Sequence, residues 1–173
     1  MSSGTRSSRK LSLHTKTLKM KNLTIINHNK TTIINSKTLQ KIIKTILKQL
    51  MINDYSIEIS FLTKEQISKL NKEFLNHLGP TDVITFNYSN ITNQNTLTGE
   101  ILVCPDIALE QSKLYSTTFE NELLRYIIHG ILHLLGFNDE SPVEKRKMRI
   151  KENKILAASK SVWIDNNFVK NQR

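Results

Sequence analysis

Apolar residues recur at Leu39, Ile42, Ile43, Ile46, Leu47, Leu50 and Met51, with Lys41, Lys44 and Lys48 off that stripe. The i, i+3, i+4, i+7, i+8 spacing predicts an amphipathic helix, with Ser36 placed to cap its start. The pattern changes period on either side. Leu23–Asn27 is a short β-branched run, and Tyr55–Phe61 alternates apolar and polar, so both read as strands. Thr63-Lys-Glu-Gln66 has capping-box form and opens a short helix through Leu70-Asn71. Val83–Phe86 reads as a strand, 87–98 as a polar loop, and Gly99–Cys104 as a further strand stopped by Pro105.

The C-terminal half is helical in pattern. Asp106 is placed to cap a helix reaching about Tyr115. A longer one follows from Thr117, with Thr117 and Glu120 spaced as a capping box. Ser141-Pro142-Val143-Glu144 combines N-cap, first-turn proline and third-position glutamate, and starts a helix to about Ala158. The fold class expected is therefore α+β: a small mixed sheet of about four strands packed with about five helices. Residues 20–160 read as one domain and 161–173 as a polar C-terminal tail. Residues 1–19, rich in Ser, Arg, Lys and Thr, read as a disordered basic extension. That extension fits a transit-type leader and an upstream extension ahead of Met20 equally well.

Composition narrows this little. The net charge is +10, but residues 1–53 carry 11 Lys/Arg and no acid, whereas the rest is nearly balanced. The basic third, Lys41, Lys44 and Lys48 included, is suited to a polyanion such as RNA or simply to a solvated face. No apolar run reaches the roughly 18 residues of a membrane span, so no membrane partner is expected. The one cysteine, Cys104, rules out an intramolecular disulfide and reads as a small buried hydrophobe.

The candidate chemistry lies in the most hydrophobic helix, at His129-Gly-Ile-Leu-His133-Leu-Leu-Gly136-Phe-Asn-Asp139. Two histidines at i and i+4 share one helix face, with Arg125 a turn earlier on it. Their ring nitrogens can reach one metal ion. Gly136 sits where a helix commonly ends in a left-handed residue, and a turn there can bring Asp139 back to the two rings. His129, His133 and Asp139 are thus the expected ligands, leaving a coordination position free for water, as in catalytic sites. Zinc proteases share the histidine spacing but place a glutamate after the first histidine; Gly130 stands there instead, which argues against a peptidase.

Several blocks together resemble the YbeY family, the bacterial rRNA maturation endoribonucleases. The metal motif resembles its H-G-x-L-H-L-x-G-[YF]-D-H signature. Pro80-Thr-Asp82-Val-Ile-Thr-Phe86 resembles its P-T-D-V block, Leu70-Asn71-Lys72-Glu73-Phe74 its L-N-x-x-[YF] element, and Gly99-Glu100-Ile101 its G-[DE]-I strand. Met148, Glu152, Ile155 and Leu156 fit its C-terminal pattern. The resemblance implies a zincin-like metal helix and one Zn2+ per chain, with another divalent metal an alternative. It implies cleavage of single-stranded RNA in 3′-end maturation of small-subunit rRNA and in ribosome quality control. The small subunit or a ribosomal protein is then the implied partner and the cytoplasm the implied location, with organellar targeting by residues 1–19 left open.

Two positions depart from the family pattern. Asp139 stands where a third histidine is usual, lowering the formal charge of a loaded site from +2 to +1 and favouring harder metals. Leu75 stands where an arginine linked to activity is usual; Arg125 and His77 are the candidate cations in its place, and Asp82 a candidate to contact substrate or orient a group. The rival expectation is a non-catalytic ribosome-associated factor in which metal only stabilises the fold.

Overall fold

A computed structural model describes residues 20–89 and 96–171. The basic extension expected over 1–19 lies outside these residues. In chain order the elements are β1 (Lys21–Asn27), β2 (Thr32–Ile34), α1 (Ser36–Gln49), β3 (Tyr55–Phe61), α2 (Lys64–Leu75), β4 (Val83–Asn87), β5 (Leu97–Val103), α3 (Pro105–Leu114), α4 (Phe119–Leu134), α5 (Pro142–Ala158), α6 (Lys160–Trp163) and β6 (Val169–Asn171). The main sheet has the order β1-β3-β5-β4, with β1, β3 and β5 parallel and β4 antiparallel to β5. The α+β class with a small mixed sheet holds. Among the described residues, no helix is long and apolar enough to cross a membrane.

Period-two alternation gives the sheet two unlike faces. Ile57, Ile59 and Phe61 of β3 and Ile101 and Val103 of β5 join the main core with Leu39, Ile43 and Leu47 of α1 and Ile127, Ile128 and Ile131 of α4. On the other face Leu62, Ile67, Ile84, Leu102 and Cys104 form a smaller cluster. Cys104 is buried there, as expected, and burial pushes its thiol pKa up.

Gly130 explains how closely α4 approaches this sheet. A Cβ built on it would stand 2.5 Å from Ile101 Cγ2, an atom of a wholly buried side chain on β5. Gly130 thus belongs to the packing of helix on strand, and a glutamate has no room at that position. Gly130→Ala is expected to lower stability by about 1–3 kcal/mol through overpacking, beyond any gain in helix propensity. Urea unfolding with an unchanged slope would report it.

Elements differ from expectation where tertiary pairing decides. The segment 161–173 is more than a polar tail: Trp163 and Val169 are buried, Phe168 wholly so, and β6 pairs antiparallel with β2. Both strands are three residues long and carry no alternation signal. Helix α1 is capped by Asn35, whose side chain accepts from Thr38 N–H, rather than by Ser36. Asp106 lies inside the first turn of α3, after Cys104 and Pro105, and instead accepts from the Asn29 amide at 3.0 Å, tying the β1–β2 loop to α3. Thr118 caps α4, and the Thr117 hydroxyl donates to Glu122. Met51, expected on the apolar stripe of α1, lies beyond its end with φ +60° and is 83% exposed. The capping boxes of α2 and α5 form as expected.

Candidate metal centre

The last turn of α4 builds the site. Helix periodicity stacks His129 and His133, and their Nε2 atoms lie 2.8 Å apart. Gly136 takes the left-handed conformation at φ +84°, where glycine carries no Cβ penalty. Gly136 N–H then donates to His133 O and Phe137 N–H to Leu132 O, closing a Schellman cap. The chain turns back, and the carboxylate of Asp139 comes to 3.6 Å from His129 Nε2 and 3.7 Å from His133 Nε2.

The outer nitrogens fix the tautomers. His133 Nδ1 is 2.9 Å from Phe137 O, a carbonyl that can only accept. His129 Nδ1 is 2.7 Å from Glu152 Oε1. Each Nδ1 therefore carries the hydrogen and donates it, which leaves the two neutral rings with Nε2 lone pairs facing each other. Such a pair repels unless a proton or a cation stands between. Three donors around a tetrahedral ion at 2.0–2.1 Å would be separated by about 3.3 Å, close to what the chain provides. The donor set of two imidazoles and a carboxylate thus fits a divalent ion, and the expected ligands His129, His133 and Asp139 come together.

Charge around the rings is divided unequally. Burial works against the charged form of His129, but the hydrogen bond and charge of Glu152, with the charges of Asp82 and Asp139, outweigh it and raise its pKa. Burial and the neighbouring His129 lower the pKa of His133. Burial likewise opposes the charge on Glu152, yet His129, Arg149 and Arg125 hold its carboxyl below the usual range.

Glu152 is the residue whose role sequence reasoning missed. It is nearly buried on α5, and besides His129 it accepts from Arg125 Nη1 at 3.2 Å and Arg149 Nη1 at 3.3 Å. The available signal was an acid at i+4 from Met148 and i−3 from Ile155, on the apolar stripe of a helix. Carboxylates that hold the far nitrogen of a ligating histidine set its tautomer and basicity.

His129 and Asp139 open into a cleft of about 570 Å³ bounded by the segment before β4, α3, α4 and α5. Asp82 lines it, with Oδ1 accepting from its neighbours Val83 N–H and Thr81 Oγ1. Arg125 also lines it, but its guanidinium is already engaged: Nη1 donates to Glu152 and to Asn153 Oδ1 at 2.7 Å, and Nε is 3.5 Å from Glu122. Lys145 and Arg149 stand exposed at the rim. His77 is not brought to the cleft; it is exposed in the loop after α2, as is Leu75 at the end of that helix.

A family model described as Endoribonuclease YbeY matches residues 24–160. The chain belongs to the YbeY endoribonuclease family. Among named members, it is 40% identical over 103 residues to the Endoribonuclease YbeY of Thermotoga petrophila, covering 60% of this chain and 66% of that one. To the Chloroherpeton thalassium Endoribonuclease YbeY it is 37% identical over 120 residues, covering 69% and 83%. The solution structure of a Thermotoga maritima protein superposes with a TM-score of 0.55 at 30% identity, covering 80% of this chain and 92% of that one. The resemblance read from the motif blocks is thus a family relationship, and RNA cleavage is the activity by which the family's members are named.

Proposed function

We propose that this YbeY-family chain is a metal-dependent endoribonuclease that cuts single-stranded RNA during 3′-end maturation of small-subunit rRNA and in ribosome quality control, with His129, His133 and Asp139 holding one zinc ion. The observation that carries it is the pair of Nε2 lone pairs facing a carboxylate at the edge of an open cleft. At about 570 Å³ the cleft has room for a nucleotide. A divalent ion bound there supplies Lewis acidity to a phosphoryl oxygen or an attacking water.

The chain's own groups supply the rest. Glu152 and the Phe137 carbonyl hold both imidazoles in the ligating tautomer. Arg125 donates to Glu152 and holds it in place while its guanidinium lines the cleft. Asp82, which lines the same cleft, orients a substrate hydroxyl or water. Lys145 and Arg149 at the rim meet the RNA backbone, and Lys41, Lys44 and Lys48 add a salt-sensitive contact elsewhere. A phosphate-binding role for His77 requires the loop after α2 to fold toward the cleft.

The non-catalytic reading has one observation in its favour: the position of the usual family arginine is held by Leu75, exposed and away from the cleft. The two readings part in a cleavage assay of purified protein on single-stranded RNA and on its duplex, before and after chelation. Single-strand cleavage that stops with chelator and returns with zinc supports the enzyme. Metal-loaded protein that binds RNA without cutting it, and loses only thermal stability on chelation, supports the factor.

A further inference from the structure

Helix α5 separates two concavities. One side carries Lys145, Met148, Arg149 and Glu152 into the metal cleft. The other side, with the C-terminal end of α1, encloses a groove of about 740 Å³ floored by Leu50 and Ile155, with Met51 and Ile150 exposed at its sides. Two features of this groove have no return within the chain.

The first is Met51. It occupies the left-handed position of a Schellman cap on α1, with Met51 N–H donating to Lys48 O and Ile52 N–H to Leu47 O. The same cap closes α4 with Gly136, where the conformation is free of Cβ crowding. A methionine there is strained, and at 83% exposure its side chain recovers little by packing. Strain kept at an exposed apolar side chain points to a contact made outside the fold. Methionine is also the adaptable side chain common on surfaces that seat helices. Ile150, in the middle of α5, is 58% exposed across the groove from it.

The second is charge. Lys147, Lys151 and Lys154 line the groove, and among the described residues no acid lines it and none of the three lysines is in an ion pair. Basic walls over an aliphatic floor are complementary to a helix with an apolar stripe and acidic flanks. They suit RNA less well. Among the described residues Phe137 is the one aromatic ring lining the groove, and Lys151 Nζ already lies 4.4 Å from its centroid, so these residues offer no free platform for base stacking.

We propose that the groove between α1 and α5 is a docking site for an acidic amphipathic helix of a partner protein, whose aliphatic side chains seat between Met51 and Ile150 and whose carboxylates meet the three lysines. The site is separate from the metal cleft and independent of what that cleft cleaves.

The probe is a fluorescein-labelled peptide of roughly five helical turns, with leucine at i, i+3, i+4 and i+7 and glutamate elsewhere. Its control replaces each glutamate by lysine. Polarisation with the full chain is expected to show saturable binding of the acidic peptide only. Met51→Gly should weaken that binding about tenfold while raising Tm, because glycine accepts the left-handed conformation, so the loss cannot come from unfolding. Ile150→Glu should weaken it at least as much, and neither change should alter RNA cleavage. Equal binding of the two peptides, or affinity unchanged in both variants, overturns the proposal. Displacement of the peptide by a single-stranded oligoribonucleotide assigns the groove to RNA, and concentration-dependent dimerisation abolished by Ile150→Glu assigns it to a second copy; either result also overturns it.

Discussion

His129→Ala protein, purified and dialysed beside the unaltered chain, is expected to contain no stoichiometric metal by elemental analysis and to leave single-stranded RNA uncut. The change removes one of the two facing Nε2 donors, and the remaining imidazole and carboxylate do not make a three-ligand site. Asp139→Ala leaves both rings in place, so it should retain weak binding that washes out on dialysis. The pH dependence has a definite sign. A ligating imidazole must release the proton on Nε2, and His129 holds its extra proton to a higher pH than an ordinary imidazole because of Glu152. Metal affinity should therefore decline as pH falls through that raised value, with proton release on metal binding measurable by titration in buffers of different ionisation enthalpy. Full metal content and undiminished cleavage in His129→Ala protein would refute the site assignment.

Glu152→Ala should damage both the fold and the metal centre. The carboxylate is nearly buried and serves His129, Arg125 and Arg149 together. Removing it takes from the largely buried Arg125 one of its two carboxylate partners, Glu122 remaining at 3.5 Å, for an expected loss of about 1–3 kcal/mol in chemical denaturation. It also frees the Nδ1–H of His129, for an expected 10–100-fold weaker metal affinity. Glu152→Gln keeps an acceptor for His129 but lacks the charge that faces Arg125, and should fall between. The linkage follows the same direction. The folded pKa of Glu152 is depressed, so its contribution is present above the ordinary carboxylate pKa and is lost as pH falls through the folded value. The acid limb of the stability profile should therefore flatten in Glu152→Gln protein.

The clustering of the three candidate ligands was legible because it is local. Helix periodicity aligns His129 with His133, and a glycine at the left-handed cap returns the chain to Asp139, all within a dozen residues. Glu152 was visible as a residue but not as a partner, since nothing local says that α5 will lie against α4 with that face inward. The same limit hid the engagement of Arg125 by two acids on different helices. It also hid the reason for Gly130, which lies in the side chain of Ile101 on another element. The long strands announced themselves by alternation, whereas β2 and β6 are defined only by finding each other. The helix pattern carried Met51 too far, because hydrophobic spacing continues past the point where the backbone turns.

That pairing bears on how the polypeptide emerges during translation. β2 is made early, yet the residues that complete its ladder and the Phe168 ring that fills the adjoining core are made only after every helix from α1 to α6. The nascent chain thus spends most of its synthesis with an unmatched strand and an empty socket. The candidate metal ligands His129, His133 and Asp139 are likewise made before Phe168 and β6, so the whole donor set is in the chain before the residues that close the remaining core.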